Sequence, residues 1–162
     1  MLTVDYLKEI IHYNPETGIF TWILARPKIR AGQIAGYKTH KNRIEIEIHG
    51  KAYQASRLAV FYMTGEWPRH QVDHINCIKT DNRIKNLRPA SAIENGQNKK
   101  IQKNNKSGFK NVHWCKTHKK WVVTIKVNKK TISIGNFKDV ELADLVAQEA
   151  RNKYHKSFAN HG

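Results

Sequence analysis

Only two cysteines, Cys77 and Cys115, occur in the 162 residues, and they lie far apart with no CxxC partner. That leaves no cysteine pair for a zinc site and no disulfide framework, so a reducing compartment is expected. Acidic residues are scarce as well, 13 against 29 lysines and arginines, for a formal net charge of +16. Such a balance suits a polyanionic partner, with nucleic acid the first candidate. Long apolar runs are missing: nothing approaches the roughly 18 residues a membrane span requires. The opening MLTVDYLKEIIHYNP contains Asp5 and Glu9. Neither a signal peptide nor a membrane segment is expected, and the location expected is cytoplasmic.

What is present is unevenly spread. Residues 99–162 hold 15 of the basic and 4 of the acidic side chains, a local net of +11, whereas 1–72 nets +4 and 73–98 nets +1. Lysines there are interleaved with Trp114, Trp121 and a strand-like pattern, which is unlike a solvated tail. The length allows one domain or two small ones.

Thr3 can cap a helix running to about His12, and NPETG at 14–18 is a turn signal. In NRIEIEIHG, Ile44, Ile46 and Ile48 alternate with Glu45, Glu47 and His49, the period of a half-buried strand, and a hairpin follows. SRLAVFYMTGEWP, 56–68, reads as an apolar helix closing near Gly65. Trp22, Leu58, Phe61 and Trp67 are assigned to core. Ser91 with Glu94 has capping-box spacing and starts a further helix, while the basic, aperiodic KKIQKNNKSG reads as a linker. From 109 onward the pattern is three antiparallel strands, with Trp121, Val123, Ile125 and Val127 on one face, then a helix capped by Asp139 with Leu142, Val146 and Ala150 on one stripe.

The stretch VDHINCIKTDNRIKNL, 72–87, is dense in groups able to ligate a metal, move a proton or hold a phosphate. Phosphodiester hydrolysis needs an activated water and stabilisation of the leaving oxygen. Asp73 offers an oxygen to a hard cation, and His74 an imidazole suited to general-base work near neutral pH. A neutral imidazole acts as base only if its other nitrogen is held, for which Asn86 is a candidate; Asn95 could bring a second oxygen to the cation. Simple strand alternation would turn Asp73 and His74 to opposite faces, and the asparagines could be turn formers in a polar surface loop. Both readings stand on spacing alone.

The order DH, then DNRIKNL, then EN across residues 58–98 resembles the HNH endonuclease module of phage and intron homing endonucleases, a strand-loop-strand and helix around one divalent cation. The resemblance implies that His74 is the general base, Asp73 and Asn95 are metal ligands, and Asn86 orients His74. Asn86 is preferred to Asn82 because it directly precedes Leu87. The third position is Asn95 where the family name has histidine, so an oxygen site for Mg²⁺ or Mn²⁺ is expected and structural zinc is not. SGFKNV, KWVVTI, IGNF and the following helix, 107–160, resemble an AP2 domain, which lays a three-stranded sheet into the DNA major groove. The resemblance implies DNA contacts from Lys110, His113, Lys116, Thr124, Lys126, Lys130, Thr131 and Ser133. Lysine and small hydroxyls where plant members carry arginine and tryptophan imply looser base specificity.

The expected fold is therefore α+β: an N-terminal αβ segment and ββα-metal nuclease module at 1–98 (catalytic core about 56–98), a basic linker at 99–106, and an AP2-like sheet with one helix at 107–162. The expected function is a divalent-metal-dependent endonuclease acting on double-stranded DNA. One site per chain implies nicking to a 5′ phosphate and 3′ hydroxyl by a monomer or weak dimer, inside the host cell of a phage or mobile element. The alternative is a DNA-binding regulator or architectural protein with an inactive nuclease remnant.

Overall fold

A computed structural model describes residues 2–25 and 27–162. It is a mixed α/β structure with small sheets and four α-helices among the described residues. The chain divides into two compact units, Met1–Ala90 and Ser91–Gly162.

In the first unit, Thr3 caps α1 (Val4–Ile10) by accepting from the Tyr6 N–H at 3.3 Å. The helix stops short of His12, because Ile11–Asn14 (β1) instead pairs antiparallel with Ile19–Trp22 (β2), burying Tyr13 against Phe20. β3 (Tyr37–Lys38), β4 (Ile44–Ile48) and β5 (Lys51–Gln54) form a second sheet in that order. Ile46 and Ile48 are fully buried and Ile44 packs against the same core, as alternation requires. The β4–β5 turn sets both His49 and Gly50 at positive φ, the geometry that matches hairpin twist. α2 (Ala55–Thr64) follows and ends on Gly65 at φ 76°, where an L side chain would be strained. Leu58 and Phe61 drop into the core with Leu7, Ile10 and Trp22, and Trp67 stacks on Phe61 at 4.2 Å. β6 (Gln71–His74) and β7 (Leu87–Ala90) complete the unit as a two-stranded ladder.

In the second unit, α3 (Ala92–Gln97) opens with a complete capping box, Ser91 and Glu94 each bonding the other's backbone N–H. β8 (Val112–Cys115), β9 (Lys120–Val127) and β10 (Lys130–Phe137) make an antiparallel sheet with β9 central, and α4 (Val140–His155) packs on it. Segment 99–106 lies inside this unit. The α4 stripe differs from the one expected. Ala143 and Ala147 are buried against Val112 and Val123, and Ala150 is buried as expected, while Leu142 is 49% exposed. Small side chains let the helix approach the sheet closely, and that outweighs the apolar area leucine would bury.

Candidate active site

Asp73 and His74 are the last two residues of β6, and both are buried, at 5% and 8% exposure. Both are ladder residues, Asp73 opposite Arg88 and His74 opposite Leu87, and each is buried although alternation turns neighbouring side chains to opposite faces. The chain turns at once, with Cys77 at φ 60° donating its N–H to the His74 carbonyl at 2.9 Å. The loop to β7 is closed by its own polar side chains. Asn76 Oδ1 accepts from the Ile78 N–H, Asn76 Nδ2 donates to Asp81, and Asp81 takes the Arg83 guanidinium. That hydrogen-bonded guanidinium holds the Asp81 carboxyl down to about 2.

Asn82 is 3% exposed, and its Oδ1 lies 3.1 Å from His74 Nε2. Its Nδ2 faces the Thr80 carbonyl, so the oxygen faces the ring. A carboxamide oxygen only accepts, hence Nε2 carries the hydrogen and Nδ1 the lone pair. Burial pulls the His74 pKa below the ordinary imidazole value; the Asn82 hydrogen bond and the Asp73 charge oppose it without reversing it. The ring is thus neutral at neutral pH, in the state a general base needs.

Here the geometry departs from the expected role of Asn86. Its Oδ1 accepts from the Asn76 N–H at 3.0 Å, and its Nδ2 donates to Asn76 Oδ1 and to the Asp81 carbonyl at 2.7 Å. With those groups satisfied, Asn86 braces the loop, and Asn82 is the residue brought to the imidazole. The TDNR turn carried the signal, since an asparagine eight residues after a histidine can return to it when the loop is closed on itself.

Asp73 is paired across the ladder with Arg88, an interaction spacing did not suggest. Asn95 stands on α3 in the second unit, half-buried, its N–H donating to the Ser91 carbonyl. Among the described residues, no three His, Cys, Asp or Glu side chains gather as a ligand set. A cation at Asp73 would therefore find one buried carboxylate, a hard oxygen donor of the kind divalent cations take.

Of the expected DNA contacts, His113, Lys116, Lys126, Lys130, Thr131 and Ser133 are exposed and Thr124 is half-buried. His113, Thr124, Lys126, Thr131 and Ser133 share the sheet face opposite buried Val123 and Ile125. Lys110 departs from the expectation. Its Nζ donates to the carbonyls of Gln97, Lys99 and Asn160 at 3.1, 2.6 and 2.8 Å, which accounts for all three ammonium hydrogens. It ties segments of its own unit together.

Residues 53–97 match the HNH endonuclease family model, which spans α2, the β6–β7 ladder and α3. This domain supports a nuclease. Protein 3.8 of Escherichia phage T7 is 33% identical over 92 residues, covering 56% of this chain and 74% of that protein. The chain belongs to the same family as that phage protein and carries an HNH endonuclease domain. No solved structure matches it.

Proposed function

We propose that the protein is a divalent-metal-dependent DNA endonuclease in which His74 is the general base. The observation that carries this reading is the buried, neutral His74 at the end of β6, its tautomer held by Asn82 and its neighbour the buried carboxylate Asp73. His74 takes a proton from water as the water oxygen bonds to phosphorus. The P–O3′ bond breaks on the opposite side, and the leaving O3′ takes a proton from solvent water, so a 5′ phosphate and a 3′ hydroxyl result. Asp73 would hold Mg²⁺ or Mn²⁺, which when bound would offset charge on the leaving oxygen. One such site per chain cuts one strand. The sheet face bearing His113, Thr124, Lys126, Thr131 and Ser133, with Lys116 and Lys130 at its margins, grips DNA in an AP2-like manner.

Supercoiled plasmid incubated with Mg²⁺ tests the reading. Wild type should convert it to open circles, and His74→Ala should not, while DNA affinity stays nearly unchanged. Equal nicking by both would remove His74 from the mechanism. No nicking by wild type on any DNA would favour the DNA-binding regulator.

A further inference from the structure

The β1–β2 hairpin lies outside the residues that match the nuclease family, yet it meets the active-site loop at four successive positions. Tyr13 Oη donates to the Asn82 carbonyl at 2.7 Å in a buried contact. The Ile84 N–H donates to the Pro15 carbonyl at 3.0 Å, and Lys85 reaches Glu16 at 3.4 Å. At the tip, Gly18 sits at φ 74° against the backbone of Asn82 and Arg83, where an added Cβ would meet Arg83 N at 2.4 Å and Asn82 C at 2.5 Å. Only glycine fits that approach.

We infer that this hairpin is a positioning element for His74: Tyr13 and Gly18 fix the Asn82 backbone so that its carboxamide oxygen holds the Nε2–H tautomer of the catalytic imidazole. Three observations favour a positioning role over simple packing. The hairpin grips the residue whose side chain bonds the imidazole, the gripped group is a backbone carbonyl rather than an apolar surface, and Asn82 is almost wholly buried. A buried carbonyl must find a donor, and only one hydroxyl of the hairpin reaches it. Tyr13 is rigid in turn, stacked on Phe20 at 4.5 Å and edge-on to Tyr62 at 5.7 Å. Burial raises its phenol to about 12, so the donor hydrogen stays in place across the working pH range. The charged groups acting on the imidazole itself are Asp73 and Asp81, which favour its protonation, and Arg43, which opposes it.

The inference rests on the endonuclease reading, but its decisive measurement does not. Long-range ¹⁵N–¹H NMR of the His74 ring in the full chain reports its tautomer directly. Wild type should show Nε2–H. Tyr13→Phe keeps the ring and removes only the hydroxyl, and it should mix the tautomers, because the hydrogen bond from Nε2–H to Asn82 is loosened. Asn82→Ala should do the same more strongly, and Tyr13→Phe should add nothing on top of it. Asn82→Asp keeps an acceptor oxygen, so it should preserve the tautomer. In nicking assays Tyr13→Phe should cut kcat roughly tenfold or more with KM unchanged, as expected for a misplaced base. If Tyr13→Phe lowers only the unfolding midpoint and leaves the His74 signals of wild type, the hairpin is a structural prop and the inference fails. A wild type that nicks nothing would overturn the endonuclease reading alone, since the ring signals would still decide the coupling. Gly18→Ala is a second probe, and a folded Gly18→Ala with wild-type His74 signals would equally overturn it.

Discussion

Arg88 stands directly opposite Asp73 in the β6–β7 register and closes on a single carboxylate oxygen with both Nε and Nη2, each at 2.9 Å. Neither side chain is well hydrated, at 6% exposure for Asp73 and 16% for Arg88. Removing one partner of such a pair leaves a buried charge without its counter-ion. Arg88→Met should therefore cost about 3 kcal/mol in urea unfolding, and the double variant with Asp73→Asn should recover part of that loss. Strict additivity of the two single changes would show that the pair is not coupled.

Asn86 and Asn82 should separate in their effects. Asn86→Ala strands the Asn76 N–H and the Asp81 carbonyl, so it should destabilise by roughly 1–3 kcal/mol. Its effect on nicking should follow from loop order, with the His74 tautomer retained in the folded fraction. Asn82→Ala should alter the tautomer itself. Identical His74 ring spectra in the two variants would contradict the separation.

Lys110 should behave as a structural lysine. Lys110→Met loses three hydrogen bonds to carbonyls and should lower stability by roughly 2 kcal/mol or more. The salt dependence of DNA binding by the folded variant should match wild type. Lys126→Ala, on the exposed sheet face, should instead leave stability alone and reduce the salt slope by about one counter-ion. Fluorescence anisotropy over a salt series, beside thermal melts, distinguishes the two.

Acidification should destabilise the fold through histidine as well as carboxylates. Burial holds both His74 and His155 below the ordinary imidazole value; for His155 the nearby Lys110 and Arg151 add to this, and the hydrogen bond to the Lys126 carbonyl opposes it. The unfolded chain then binds these protons more readily, so the contribution is whole above about pH 6.5 and is lost as pH falls through the lower folded values. The urea midpoint should drop between about pH 7 and pH 5, and His155→Gln should flatten that drop. An unchanged pH profile in the variant would show that His155 does not carry it.

Local patterns foretold much of this architecture. Alternation marked β4, the Ser91–Glu94 spacing marked the start of α3, and Gly65 marked the end of α2, because each depends on neighbours a few residues away. Charge counting placed the basic surface in the C-terminal part, since charge is a property of residue type. The adjacency of Asp73 and His74 was legible too. Their common burial was not, because it depends on what the fold packs around each of them.

The partner of the imidazole, the face of α4 and the task of Lys110 needed the folded chain. Asn82 and Asn86 are alike in type and both follow His74 within one loop, and the path of that loop, braced by Asn76 and Asp81, brings Asn82 to the ring. Tyr13 and Gly18 precede the loop they hold by more than sixty residues, and no periodicity carries that distance. Short-range order follows from backbone geometry and side-chain period; which polar groups satisfy one another once buried is decided when the elements pack.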